Sequence, residues 1–137
     1  MVDRAAGAGT TGEVMRRFSA PAREWFTSAF AAPTSAQVGA WEAISSGHHT
    51  LVVAPTGSGK TLSAFLWAID ELSTSAVPED PRKRCRVLYI SPLKALASDV
   101  ERNLRAPLAG LAQAGARLGA EVRPLSIAMR SGDTPAA

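Results

Sequence analysis

The segment from Ala54 to Thr61 has the residue types and the spacing of a loop that holds phosphate groups. Phosphate oxygens need several inward-pointing backbone N–H groups, and Gly57 and Gly59 permit the tight turn and the close approach of the backbone. Lys60 supplies a mobile positive charge for the β and γ phosphates, and the Thr61 hydroxyl is a suitable ligand for Mg²⁺. The segment therefore predicts nucleotide-phosphate binding, with a merely flexible Gly-Ser turn as the alternative.

A phosphate loop lies between a strand and a helix, and the flanking sequence predicts both. Thr50 to Ala54 is a short apolar run with β-branched members, which is typical of a buried strand. From Lys60 onward the apolar residues recur at helical spacing, so we expect a helix that ends near Ser75. The positive N-terminal end of this helix adds to the phosphate site.

Two further apolar runs, Val87 to Ile90 and about Leu125 to Met129, predict a second and a third strand. Strands that alternate with helices are typical of an α/β domain with a parallel sheet, because parallel neighbours need crossover connections of this length. The carboxyl ends of parallel strands meet at one edge of the sheet. We therefore expect the loops that follow the strands to converge there, namely residues 54–61, 91–94 and 130–134.

Helical periodicity predicts the remaining elements. The expected helices lie within residues 14–30, in two pieces divided at Pro21, at Ser35 to Ile44 with Thr34 or Ser35 as the cap, and over about 93–111, where Pro107 begins a new turn or marks a kink. The three tryptophans occupy helical positions, so core packing is expected of them rather than stacking on bases: Trp25, Trp41 and Trp67.

The composition bounds the class of protein. A length of 137 residues with 46% apolar residues indicates one domain with a sizeable core, and the net charge of +3 is compatible with a polyanionic partner without requiring one. Cys85 is a lone cysteine, and the chain has neither a signal-like nor a membrane-spanning apolar run, so we expect a cytoplasmic protein with no membrane partner. Residues 1–12 are expected to form a flexible tail and residues 13–137 the domain.

Upstream of the phosphate loop, Phe30 and Gln37 could select the base. An aromatic ring can stack on a purine, and a carboxamide can both donate to and accept from the edge of adenine. The alternative is an ordinary start of a helix, with Phe30 in the core and Gln37 exposed.

Several groups of residues together resemble the motifs of superfamily-two DEAD/DEAH-box-like helicases, in particular the large helicase-related proteins of bacteria and archaea. The similarity to the Q motif, motif I, motif Ia and a further strand-contacting turn is carried, in that order, by Phe30, Pro33, Thr34 and Gln37, by Ala54 to Thr61, by Ser91 to Leu96, and by Arg130 to Thr134. The resemblance covers residues 18–135.

This resemblance implies an α/β, RecA-like P-loop NTPase lobe that binds ATP with Mg²⁺ and moves along single-stranded DNA or RNA with 3′ to 5′ polarity. The nucleotide-binding residues would be Phe30, Gln37, Thr56, Gly57, Ser58, Gly59, Lys60 and Thr61, with Lys60 and Thr61 catalytic and Thr61 the magnesium ligand. The strand-contacting residues would be Pro92, Leu93, Lys94, Arg130, Gly132, Asp133 and Thr134. An exposed lysine at a helix start and a plain Gly-Asp turn are the alternatives for the last two motifs.

The sequence departs from the family pattern in one respect that concerns chemistry. Such helicases use an Asp-Glu-x-His box after a later strand, where the acidic pair holds magnesium and prepares the attacking water. Asp70-Glu71 is the apparent counterpart, but it lies on the helix that leaves the phosphate loop, about 15 Å along from Lys60, and a solvated helix face is expected there. The lobe is therefore expected to be incomplete, truncated before the Asp-Glu-x-His strand and without the second RecA-like lobe.

An incomplete lobe has two expected consequences. Leu51 to Val53 would have unpaired edges and an exposed apolar face, and the chain alone would not hydrolyse ATP appreciably. A nucleotide-binding module that does not act on nucleic acid, and a non-catalytic interaction fragment, remain open alternatives. The basic run over residues 82–86 and the His48-His49 pair are expected to be a solvated loop and a surface turn.

Overall fold

The structure, a computed structural model, describes residues 10–135, and within them it contains five α-helices and one 3₁₀ turn. The helices are α1 (Thr11–Arg16), α2 (Ala20–Ala29), α3 (Ser35–Ser45), α4 (Lys60–Thr74) and α5 (Lys94–Leu118), and the 3₁₀ turn is Pro81–Lys83. Each predicted helix is found. Most of the predicted tail lies outside the described residues, but Thr11 and Gly12 already belong to α1. None of the described helices has the length and apolarity needed to cross a membrane.

Short polar residues determine where α2 and α3 begin. The Ser19 hydroxyl accepts from the Ala22 N–H and caps α2, while Pro21 lies inside the first turn, where its missing N–H costs no hydrogen bond. Thr34 caps α3 through a reciprocal pair of bonds with Gln37. The two predicted helices are therefore found, but the break between them is at residues 17–19, and Pro21 lies inside the first turn of α2 instead of dividing the helices.

Helix α5 runs without a break through Pro107, which is buried inside it. The helix ends at Gly119, whose φ of 65° lies in the left-handed region that glycine adopts without strain. One face of α5 packs on α2, and Gly110 lies directly against Trp25. A Cβ at Gly110 would be only 1.9 Å from the indole Cδ1, so this close approach requires glycine.

The core is built around Trp41 of α3, which is fully buried. Its ring makes edge-on contacts with Phe18 and Phe26, at centroid distances of 5.1 and 5.4 Å. The indole N–H donates to the Leu62 carbonyl of α4 at 3.2 Å, which satisfies the polar atom of an otherwise apolar side chain. Trp41 thereby holds α3 against both α2 and α4.

The three predicted strands are not confirmed. Residues 50–54, 87–90 and 125–129 are outside any regular element, and no main-chain hydrogen bond joins them within residues 10–135. Leu51 and Val53 are 88% and 85% exposed, as expected for a segment with unpaired edges. An apolar run indicates only that a segment is suited to burial. A parallel strand forms only when the backbones of neighbouring segments pair with it. The predicted parallel sheet is therefore absent from the described residues.

Asp70 corrects another expectation, because its carboxylate is buried rather than solvated. It accepts from the Ser19 N–H at 2.7 Å and from the Ser19 hydroxyl, and so joins α4 to the cap of α2. Burial raises the pKa of the Asp70 carboxyl above its ordinary value of 3.8, and the Ser19 hydrogen bonds and the charge of Arg23 oppose this rise. Glu71 is exposed, as predicted.

The raised pKa of Asp70 predicts a pH dependence of stability. Between 3.8 and the higher pKa of the folded state, the folded chain binds more protons than the unfolded chain, so the free energy of unfolding contributed by Asp70 falls as pH rises. We expect Asp70→Asn to remove this component. Urea unfolding at closely spaced pH values from about 4 upward measures it as the difference between the two proteins. Parallel pH profiles would contradict the assignment.

Candidate functional site

The phosphate loop forms the turn that leads into α4. Gly57 and Gly59 have φ values of 81° and 78°, and Gly59 is the N-terminal cap of the helix. These left-handed conformations explain why glycine is needed at both positions. The loop residues Thr56 and Gly57 are exposed. The Ser58 hydroxyl donates to the Pro55 carbonyl at 2.6 Å. Thr61 is half-buried and lies in the first turn of α4.

The Lys60 ammonium lies across the inside of its own loop. Its Nζ donates to the Ala54 carbonyl at 2.5 Å and to the Pro55 carbonyl at 2.9 Å. These are the only hydrogen bonds that Lys60 Nζ makes within the described residues, and Lys60 is exposed. An ammonium group in this position can exchange the two carbonyl partners for phosphate oxygens, which as anions are the stronger acceptors.

The start of α3 is bonded directly to the phosphate loop. The Thr34 hydroxyl donates to the Ser58 carbonyl at 3.0 Å, and the Gln37 Nε2 donates to the Gly59 carbonyl at 3.3 Å. The Gln37 Oε1 in turn accepts from the Thr34 N–H at 2.9 Å. Gln37 is only 5% exposed, so its alternative placement as an exposed residue is wrong. The two segments singled out from sequence for base and phosphate contacts are therefore adjacent.

The Gln37 carboxamide retains hydrogen-bonding capacity in this position. An amide has two N–H donors and two acceptor lone pairs, and the protein uses one of each. Phe30, the candidate stacking residue, is 44% exposed and packs one side against Phe26 at a centroid distance of 4.9 Å. The alternative prediction, that Phe30 is a buried core residue, is therefore not confirmed. Part of the Phe30 ring is accessible near the start of α3.

The second and third loops meet through an ion pair. Lys94, the first residue of α5, contacts the Asp133 carboxylate with its ammonium group. The turn around Asp133 is closed by the Ser131 N–H, which donates to the Thr134 hydroxyl at 2.9 Å, and by the Thr134 N–H, which donates to the Ser131 carbonyl at 3.0 Å. Within the described residues no hydrogen bond joins these two loops to the phosphate loop, so convergence is seen for two of the three loops.

The other predicted strand-contacting residues lie on the same surface. Pro92 and Leu93 are exposed just before α5, and Leu93 is its N-terminal cap. Arg130 is exposed and donates to the Pro135 carbonyl at 3.2 Å, and Gly132 is exposed in the turn. The surface around the start of α5 thus carries the positive charges of Lys94 and Arg130, a chemistry suited to phosphate groups.

Two minor sequence features are placed as expected. His48 and His49 are exposed. The basic run is an exposed loop in which Arg82 pairs with Asp80, and Arg84 donates to backbone carbonyls of residues 78 and 79. These arginines are largely engaged within the loop.

Sequence reasoning missed the role of Thr34 as a bridge between α3 and the phosphate loop. The spacing of Thr34 and Gln37 is a helix-capping signal that was available in the sequence. Nothing in the spacing indicated that the same hydroxyl would reach the Ser58 carbonyl, because residues 34 and 58 are brought together only by the packing of α3 on α4.

Comparison with known proteins finds similarity to helicases in each case. Residues 34–129 match the DEAD/DEAH box helicase family. The chain is 61% identical over 119 residues to an Lhr helicase/probable uracil glycosylase of Mycolicibacterium smegmatis, covering 87% of this chain and 8% of that protein. It is 38% identical over 122 residues to the ATP-dependent helicase Lhr-Core of Methanocaldococcus jannaschii, covering 89% of this chain and 14% of that protein.

A solved structure agrees with these relatives. The structure of Mycobacterium smegmatis helicase Lhr bound to ssDNA and AMP-PNP superposes with a TM-score of 0.79 at 58% sequence identity, covering 89% of this chain and 15% of that one. The family match and the structural match together correspond to a RecA-like helicase lobe. The chain spans a small part of the length of each of these proteins.

The contact between Gln37 and Gly59 predicts unequal costs for two glycine substitutions. Gly57→Ala meets open space and costs only the left-handed strain, about 1–2 kcal/mol. Gly59→Ala has nearly the same φ, but its Cβ would lie 2.3 Å from Gln37 Nε2, so the amide must move and give up its bonds to Thr34 and Gly59. We therefore expect a larger loss of unfolding free energy.

Urea unfolding of both variants measures the difference. Adding Gln37→Ala to Gly59→Ala should recover the part of the loss that is due to the clash, since the obstructing amide is then absent. Equal costs for the two single substitutions would contradict this packing of Gln37 on the loop.

Proposed function

The chain belongs to the DEAD/DEAH box helicase family, and from this premise we propose that it is the ATP-binding part of an ATP-dependent nucleic-acid helicase or translocase. The observation that supports the proposal most directly is the pair of bonds from Thr34 to Ser58 and from Gln37 to Gly59. They place a carboxamide with one spare donor and one spare acceptor beside the phosphate loop. Adenine presents a complementary N6 donor and N7 acceptor.

In this proposal each part of the nucleotide has its own partner. Phe30 offers the exposed part of its ring to the base and Gln37 offers its amide, while backbone N–H groups of residues 56–60 surround the phosphates. Lys60 exchanges its bonds to Ala54 and Pro55 for phosphate oxygens. These roles of the named residues are proposals that rest on their placement and chemistry.

Magnesium fits the oxygen chemistry of this site. Mg²⁺ is held by few protein oxygen ligands together with substrate phosphates, and the Thr61 hydroxyl in the first turn of α4 is such an oxygen. When bound, the ion would neutralise phosphate charge. Asp70 does not contribute, because its carboxylate is buried against Ser19 at the far part of α4. We therefore propose that these residues bind ATP without appreciable hydrolysis on their own.

We further propose that the surface at the start of α5 contacts the phosphates of single-stranded DNA or RNA. Lys94 and Arg130 supply positive charge there. The strand can also come close to the exposed backbone around Pro92, Leu93 and residues 132–134. We also propose a second RecA-like lobe and a 3′ to 5′ direction of movement along the strand. The proposed location of the protein is the cytoplasm, where ATP and nucleic acid are both present.

Nucleotide binding is tested with Lys60→Ala. Removing the charge-assisted contact should weaken ATP affinity about 10- to 100-fold, because hydrogen bonds to charged groups contribute about 1.5–3 kcal/mol. Titration calorimetry of the full chain with ATP and Mg²⁺ measures the affinity. Lys83→Ala is the matched control, since it removes the same charge from the exposed basic loop. Equal effects of both variants would count against a nucleotide site at the loop.

Strand binding is tested with Lys94→Gln. Losing one phosphate contact should weaken binding to single-stranded oligonucleotides and reduce the slope of log K against log salt by up to about 0.7. Arg117→Gln is the control, because it removes one positive charge of similar exposure at the other end of α5, about 35 Å away. Fluorescence anisotropy at several salt concentrations gives both quantities. An unchanged slope for Lys94→Gln would refute the contact.

A further inference from the structure

Asp133 is anomalous among the residues proposed to contact the strand, because its side chain carries the same sign of charge as the phosphates. A carboxylate and a phosphate repel each other, so the Asp133 side chain does not hold a strand phosphate. Its carboxylate instead contacts the ammonium group of Lys94, the residue proposed to hold a phosphate. The role of Asp133 must therefore be sought in its effect on Lys94.

The turn from Ser131 to Thr134 fixes the position of Asp133. Besides the two bonds between Ser131 and Thr134, the Asp133 N–H donates to the Ser131 hydroxyl at 3.4 Å. The segment before the turn also contacts α5, where the Ser98 hydroxyl lies 3.8 Å from the sulfur of Met129. The turn thus presents the carboxylate to the first residue of α5 from a defined direction.

The ion pair is also accessible to exchange. The side chains of Lys94 and Asp133 are 60% and 75% exposed, so water and salt screen their attraction and the pair is weak. A polyanion that brings several phosphates to the same surface can compete with a single exposed carboxylate for the ammonium group.

We propose that the Asp133 carboxylate is an internal counter-ion, which pairs with the Lys94 ammonium group in the free protein and is displaced from it by a strand phosphate. Because the phosphate must compete with this carboxylate, Asp133 lowers the affinity for single-stranded nucleic acid. The inference rests on the proposed function of this surface. Asp133 acts through Lys94 and is a positioning residue in the free state, rather than a contact of the bound strand.

Asp133→Asn tests the proposal, since asparagine keeps the size and removes the competing charge. The expected result is a two- to five-fold higher affinity for a single-stranded oligonucleotide, about the range of one exposed ion pair, with a steeper salt slope. Asp99→Asn is the matched control. It neutralises an exposed carboxylate on α5 that pairs with Arg102 rather than with Lys94.

The decisive measurement is a double-mutant cycle. In the Lys94→Gln background the gain from Asp133→Asn should fall to that of Asp99→Asn, because no ammonium group is left to release and only the general repulsion between a carboxylate and the phosphates remains. An equal gain from Asp133→Asn and Asp99→Asn in the unsubstituted background, or a gain from Asp133→Asn that is undiminished without Lys94, would show a general charge effect and overturn the inference. Circular dichroism of each variant verifies that the fold is retained.

The same measurements separate this inference from the proposed function. If the unsubstituted chain binds the oligonucleotide and loses affinity on Lys94→Gln, but Asp133→Asn changes nothing or weakens binding, the proposed function stands and the counter-ion role is refuted. If the unsubstituted chain does not bind, or binds without regard to Lys94, the proposed strand contact fails and the inference fails with it.

Discussion

The buried position of Trp41 is the constraint on which the rest of the structure depends. Its ring fills the space between α2 and α4, and its indole N–H is satisfied by the Leu62 carbonyl. Because an indole has both a large apolar surface and one donor, it specifies a distance and an orientation between helices. The position of α3 relative to α4 follows from this contact, and with it the position of every residue at the start of α3.

That helix pair connects the core to the candidate nucleotide site. Once α3 lies against α4, Thr34 and Gln37 face the turn at Ser58 and Gly59, and their hydrogen bonds close the contact. Gly59 is therefore constrained twice, by its left-handed φ and by the amide that occupies the space of a Cβ. The packing of α3 on α4 therefore contributes to the stability of the domain and also fixes the arrangement of the loop.

The apolar segments outside the helices are exposed, although their residue types are those of buried strands. Leu51, Val53, Leu88 and Ile90 have the residue types of buried strands, yet they are 78–88% exposed. Helices satisfy their backbone groups internally, whereas strands need a neighbour, so the helices form and these segments do not pair within residues 10–135. Surface of this kind is suited to burial against further strands.

Much of the helical architecture and the position of the candidate phosphate loop could be predicted from the sequence alone, because helix periods, the cap at Thr34, and the Gly-Ser-Gly-Lys spacing are local signals. Only the tertiary structure decided that Gln37 lies on Gly59, that Lys94 meets Asp133, and that Asp70 is buried against Ser19. These contacts join residues that are 22 to 51 positions apart in the chain. Their geometry follows from the tertiary packing of the chain, and sequence spacing does not encode it.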